Sequence, residues 1–287
     1  MSVDLLQEKI RKSKCPIIVD MSVDVLQIPE CVRQDKTPAK AYYAYCSAML
    51  RGLKDMVPGV RFDFDHCAIL GALEELSDLM EFARQLGFYV LLDAPSILSP
   101  KQATRAACLL DDHWGYPCHG VIANPYIGSD AIKPFLPFCK EGKSVFFAVR
   151  TPNKSAVELQ DLMTGSRLMH VAAADTVKRL GESILGKCGY SQIGAVTAAT
   201  NANAVMGLRT KFNRMFLLVD GLDYPGGNGK NCAYGFDRFG HGCAISVGPA
   251  ITAAWMAEGA DPAEYVALAQ QAAERIRNNM ARYVTIL

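Results

Sequence analysis

The sequence predicts an α/β protein folded as a single (β/α)8 TIM barrel, and three observations carry that expectation. About eight short apolar runs recur along the chain. Amphipathic helical stretches separate them, the alternation that predicts a parallel sheet. The runs are continuously apolar, the character of strands covered on both faces. A doubly wound open sheet competes, but about eight repeats within 287 residues favour closure.

Strands are expected at 17–21, 60–64, 88–93, 120–124, 144–150, 193–198, 215–220 and 243–247. Helices fill the gaps. Segment 39–55 carries Tyr42, Tyr43, Cys46 and Leu50 at helical spacing, and 68–86 carries Leu70, Leu73, Leu76, Leu79 and Met80 on one stripe that Gly87 stops. Further helices are expected at 101–110, 130–141, 171–185, 203–211 and 250–258. A last one begins at Asp261-Pro262, because proline suits a first turn whose N–H groups have no partner. No Gly/Ser-rich linker or repeat divides the chain. Residues 1–287 therefore read as one barrel domain with an N-terminal extension 1–15 and a C-terminal helix over about 262–286.

Half of the residues are hydrophobic, enough for one large core. Thirty basic and 29 acidic residues nearly cancel, so no global field draws the chain to nucleic acid or to an anionic membrane surface. No apolar stretch approaches the ~18 residues of a membrane span. The start, Met1-Ser2-Val3-Asp4, is acidic too early for a secretory leader. The ten cysteines are scattered without a CxxC pair. Together these features predict a cytoplasmic protein with reduced thiols.

Chemistry in such barrels comes from strand C-termini and the loops after them. Nearly every exit here is polar: Asp20 and Ser22; Arg61, Asp63, Asp65 and His66; Asp93; Asn124 and Tyr126; Arg150, Thr151 and Asn153; Thr197 and Thr200; Asp220 and Asp223; Ser246. That pattern predicts a ligand-binding mouth. After the seventh strand, residues 220–229 are rich in glycine and include Gly226 and Gly227, so backbone N–H groups there can approach a phosphate; the alternative is a plain flexible connection. Asp63, Asp65 and His66, with Asp93, could hold a divalent metal; the alternative is solvated carboxylates and a helix-capping histidine. Asp111-Asp112-His113 and Cys118-His119 precede the fourth strand and belong to the opposite, stability face.

Three segments carry a family resemblance: Leu91-Leu92-Asp93-Ala94, Ala123-Asn124-Pro125-Tyr126-Ile127-Gly128-Ser129-Asp130, and Val149-Arg150-Thr151-Pro152-Asn153. With weaker support at 194–200, Gly226-Gly227 and 234–237, the chain resembles the longer bacterial branch of the orotidine 5'-phosphate decarboxylase family. The resemblance implies a barrel, a homodimer with active sites at the interface, and no cofactor. It also implies roles near catalysis for Asp93 and Arg61, and ligand contacts for Asn124, Arg150, Thr151, Thr197, Gly226 and Gly227.

The departures are specific. The family's aspartate after the first strand aligns with Ser22, and its lysine at the end of the second with Arg61. Its Asp-x-Lys-x-x-Asp array reads Asp93-Ala94-Pro95-Ser96-Ile97-Leu98 here. Pro95 has no side-chain proton to deliver, and a guanidinium is a poor acid. Pro225 stands where a glutamine precedes the paired glycines, and Pro249 aligns with the phosphate-binding arginine. Three expectations follow: a non-catalytic binding or partner subunit that takes a nucleotide or other anionic small molecule and forms a homodimer, or a heterodimer with an active homologue; a repurposed enzyme, metal-assisted or not; or a genuine decarboxylase whose lysine is Lys36, Lys40 or Lys101.

Overall fold

In a computed structural model describing residues 1–287, eight parallel strands close into a barrel. The strands are β1 (Ile17–Asp20), β2 (Gly59–Asp63), β3 (Tyr89–Asp93), β4 (Gly120–Ala123), β5 (Ser144–Ala148), β6 (Ile193–Ala198), β7 (Leu217–Asp220) and β8 (Cys243–Val247). Each pairs with its sequence neighbour, and β8 closes on β1 through Ile17↔Ile245 and Val19↔Val247. The open-sheet alternative is thereby removed.

Successive strand side chains point to opposite faces, and here both faces are buried. Ile18, Leu91, Ile122, Phe146, Val196, Leu218 and Ala244 share one interior cluster. Val19, Val90, Val121, Phe147, Ala195, Val219 and Ile245 belong to the larger cluster under the helices. Inward polar side chains therefore collect at the barrel's two ends.

The N-terminal segment is a helix, α1 (Ser2–Ser13), that floors the barrel. Val3, Leu6 and Ile10 join the interior cluster. Ser2 Oγ bonds Tyr89 Oη at 2.6 Å and donates to the His119 carbonyl at 2.7 Å. Helix α2 (Pro38–Leu53) begins at Thr37, whose hydroxyl accepts the Lys40 N–H.

The expected helix 68–86 is broken. A short helix, Phe64–Ile69, ends before Gly71 at φ 66°, and α3 (Leu73–Gln85) starts afresh. The expected helix 130–141 is also cut, because Pro134 and Pro137 supply no N–H; Ser129–Ile132, a 3₁₀ turn and Leu136–Lys140 replace it. Helices α4 (Met169–Gly181), α5 (Ala202–Lys211) and α6 (Tyr265–Met280), with a shorter helix at Pro100–Ala107, belong to the same layer. A two-stranded hairpin, Met163–Thr164 with Arg167–Leu168, turns at Gly165 after β5 and has no counterpart in the apolar pattern.

Candidate functional site at the barrel mouth

Arg61 stands at the centre of the mouth. It points inward near the end of β2, beside Asp20 of β1 in strand register. Its Nε donates to Asp93 Oδ2 at 2.9 Å, and Nη2 binds the same oxygen. Nη1 reaches Asp220 Oδ2 at 3.2 Å, Ser246 Oγ at 3.1 Å and Asp20 Oδ2 at 3.4 Å. One guanidinium thus ties together residues of β1, β2, β3, β7 and β8.

Burial alone would lower the Arg61 pKa, but Asp93, Asp20 and Asp220 outweigh it and hold the guanidinium well above its ordinary value. Asp93 moves up to about 7: burial raises it most, Arg61 pulls it back, and Asp20 and Asp63 push it up again. Burial disfavours the charged carboxylate, and the one guanidinium that would restore it is shared. One cation serves three acids, and Asp93 is the most enclosed of them.

A cleft of about 440 Å³ opens beside Arg61, lined by Asp20, Asp220, Asp223, Ser22 and Tyr224 among others, with no lysine. Asp20 Oδ1 accepts the Ser22 N–H at 3.0 Å and its hydroxyl at 2.6 Å, so Ser22 orients a carboxylate instead of supplying one. Asp223 Oδ2 accepts the Gly248 N–H at 2.7 Å. Burial raises the Asp223 carboxyl, against the Gly248 and Ala250 N–H groups that lower it. Its carboxylate takes a backbone donor in the loop after β8, a part of the fold that often binds phosphate. An anion about 6 Å from one uncompensated carboxylate meets roughly 3 kcal/mol of repulsion at an effective dielectric of 20.

Several expected contact residues are committed elsewhere. Thr197 is fully buried and shares the face of Ala195 under the helices; its hydroxyl has no partner and cannot reach a ligand in the mouth. Arg150 is 3% exposed and grips Asp161 with two bonds of 2.9 and 3.0 Å. Its charge is spent inside the protein, where Asp161 also approaches His170 at 3.2 Å. Thr151 bonds Asn153 and Gln160. Asn124 is exposed, and its Oδ1 accepts the Tyr126 N–H at 2.9 Å.

The paired glycines serve the loop's own folding. Gly226 lies at φ 91°, and a Cβ on Gly227 would sit 2.0 Å from the Gly221 carbonyl. The Gly227 N–H is taken by the Tyr224 carbonyl at 2.9 Å.

The geometry gives the metal alternative no support. Asp63 caps the helix that follows it by accepting the His66 N–H, Asp65 accepts from Ser96, and the His66 ring contacts the Val23 carbonyl. No three His, Cys, Asp or Glu side chains in the structure converge as a metal-ligand group. Asp220 and Ser246 were visible in the sequence as polar strand ends around the mouth. Their convergence on Arg61, and the role of Asp161, had no local signal.

No protein-family model matches the chain. Among curated proteins it is similar to the orotidine 5'-phosphate decarboxylase of Clostridium kluyveri, 26% identical over 291 residues covering 98% of each chain. It is likewise similar to that of Caldicellulosiruptor bescii, 27% identical over 264 residues covering 85% of this chain and 86% of that protein. In solved structures it superposes on a putative orotidine-monophosphate decarboxylase from Toxoplasma gondii with a TM-score of 0.79 at 20% identity, covering 97% of this chain and 98% of that one. A putative orotidine 5'-phosphate decarboxylase from Streptomyces avermitilis gives 0.76 at 18% identity, with 98% and 96% covered.

Proposed function

We propose, from the premise that the chain belongs to the orotidine 5'-phosphate decarboxylase family, that it is a non-catalytic member acting as a binding or partner subunit. The observation that carries this reading is the state of Arg61. The only cation in the mouth cleft is spent on Asp20, Asp93 and Asp220, and Asp223 adds a further carboxylate. Decarboxylation leaves a carbanion-like centre that needs a proton donor, and position 95 is a proline. The substrate is anionic at its carboxylate and its phosphate, and the cleft has an excess of acid. We further read the protein as a cytoplasmic homodimer; pairing with an active homologue is the alternative arrangement.

The test is decarboxylation of orotidine 5'-phosphate by purified protein, followed in the ultraviolet. No turnover above the uncatalysed background is expected. Saturable turnover that Asp93→Ala abolishes would overturn the reading. One observation favours a second reading, a repurposed enzyme. A carboxyl near neutrality, like Asp93, is poised for proton transfer. Mass spectrometry of compounds that co-purify in the mouth distinguishes the two readings, since a substrate–product pair would favour the enzyme.

A further inference from the structure

The mouth is not the only cavity, and the charge balance at the barrel's other end is reversed. A groove of about 480 Å³ lies between the end of α4, the end of α5 and the N-terminal ends of β6 and β7. Lys178, Lys211 and Arg214 line it against a single carboxylate, Glu182. It continues past Lys178 to Arg167 and Arg179, where Asp175 is the one added acid. Behind it stand Ile193, Phe212 and Met215, which belong to the buried core.

The acids present are already engaged. Glu182 pairs with Lys178, and Asp175 serves both Arg167 and Lys211, the latter at 2.9 Å. Arg179 and Arg214 have no carboxylate within salt-bridge distance, which leaves two uncommitted guanidinium groups. Lys178, Arg179 and Lys211 fall in the last turns of helices, where cations offset the partial negative charge of terminal carbonyls. Arg214 lies outside any helix, so that explanation does not cover it.

The frame is rigid. The Arg214 carbonyl accepts the Ser191 N–H at 2.9 Å. Ser191 Oγ donates to the Gly181 carbonyl at 2.8 Å and accepts the Ile193 N–H at 3.0 Å, which ties α4 to β6. A groove of this volume with unpaired cations at its rim has room and charge for a small anion. Guanidinium groups suit carboxylate or phosphate oxygens because their paired N–H donors match that geometry.

We propose that this groove binds a small organic anion, a phosphate ester or carboxylate. The site is separate from the mouth, and the proposal stands whether or not the mouth is catalytic. Adenosine 5'-monophosphate is a suitable test compound, titrated into the full-length protein by calorimetry. Saturable binding with a Kd below about 1 mM is expected. Arg214→Glu, at an exposed position outside the core, should weaken it at least about tenfold, because one attractive charge becomes repulsive. Lys154→Glu makes the same charge change on an exposed residue beyond β5, at the mouth end, and should leave the affinity unaltered. Absence of saturable binding would overturn the proposal. So would equal affinity in Arg214→Glu, or an equal loss in both variants.

Discussion

Burial raises the Asp93 carboxyl even beside Arg61, and that makes stability depend on pH in a definite direction. Its folded-state pKa, about 7, lies above the unfolded value. Its contribution is therefore fully present below about pH 4 and is lost as pH rises through about 7. His119 opposes it. Its Nδ1 accepts the Val90 N–H, and burial, with Arg84, Lys143 and Lys9, lowers its pKa to about 4. That contribution is present above about pH 6.5 and is lost as pH falls through about 4. The informative quantity is thus a difference between proteins. Asp93→Asn keeps an acceptor for Arg61 and removes the charge, so at pH 8 it should be more stable than the parent by about 1–2 kcal/mol, roughly 2–6 °C in Tm. The gain should shrink towards pH 5. Thermal unfolding across that range checks it, and a variant less stable at pH 8 would contradict the account. Much of this site was legible as strand ends: Arg61 and Asp93 stood out from the sequence. The pairing was not, because Asp220 lies 159 residues from Arg61 and only closure of the barrel brings them together. Thr197 misled for a related reason, since a polar residue at a strand end faces the mouth or the helices according to alternation alone.

At the scale of elements, the strands were readable to within two residues because most are apolar runs. The helices were less so. Their stripes continue through Gly71, Pro134 and Pro137, where backbone geometry, and not side-chain hydrophobicity, ends the helix. Helix α1 was the least legible. Nothing in a short amphipathic N-terminal segment says that its apolar face closes a barrel floor. Val3, Leu6 and Ile10 are fully buried there, and Gln7 Oε1 accepts the Gly242 N–H at 2.9 Å. The segment is therefore part of the core, and Leu6→Ala should cost about 2–5 kcal/mol, the usual range for emptying a buried leucine site. Urea unfolding measures it. A loss under about 1 kcal/mol would mean that α1 is an accessory and the barrel closes without it.

For the whole molecule, the distribution of exposed apolar side chains is uneven and bears on assembly. Trp114, Met206 and Tyr283 are scattered singly over the outside, as on any soluble surface. The segment after β5 differs: Val157, Leu159, Leu162 and Met163 are between 51% and 71% exposed within seven residues. Leu98, in the loop after β3, is 75% exposed, and Ile69 after β2 is 86% exposed. All of these follow strand C-termini, so they rim the same end of the barrel as Arg61. Apolar residues concentrated at one end mark an association surface more readily than a solvated one. A two-fold assembly through that end would cover them with their own counterparts. It would also narrow access to the acidic cleft. Light scattering of the purified protein should then return a mass near twice the 31.2 kDa of one chain. Leu159→Glu with Met163→Glu should shift it to the monomer, because burying two unpaired carboxylates in an apolar contact costs several kcal/mol. Both positions are exposed in the single chain, so the far-ultraviolet circular dichroism should not change. A parent protein that is monomeric at all concentrations would remove the dimer. A dimer unaffected by the double variant would place its interface on another face.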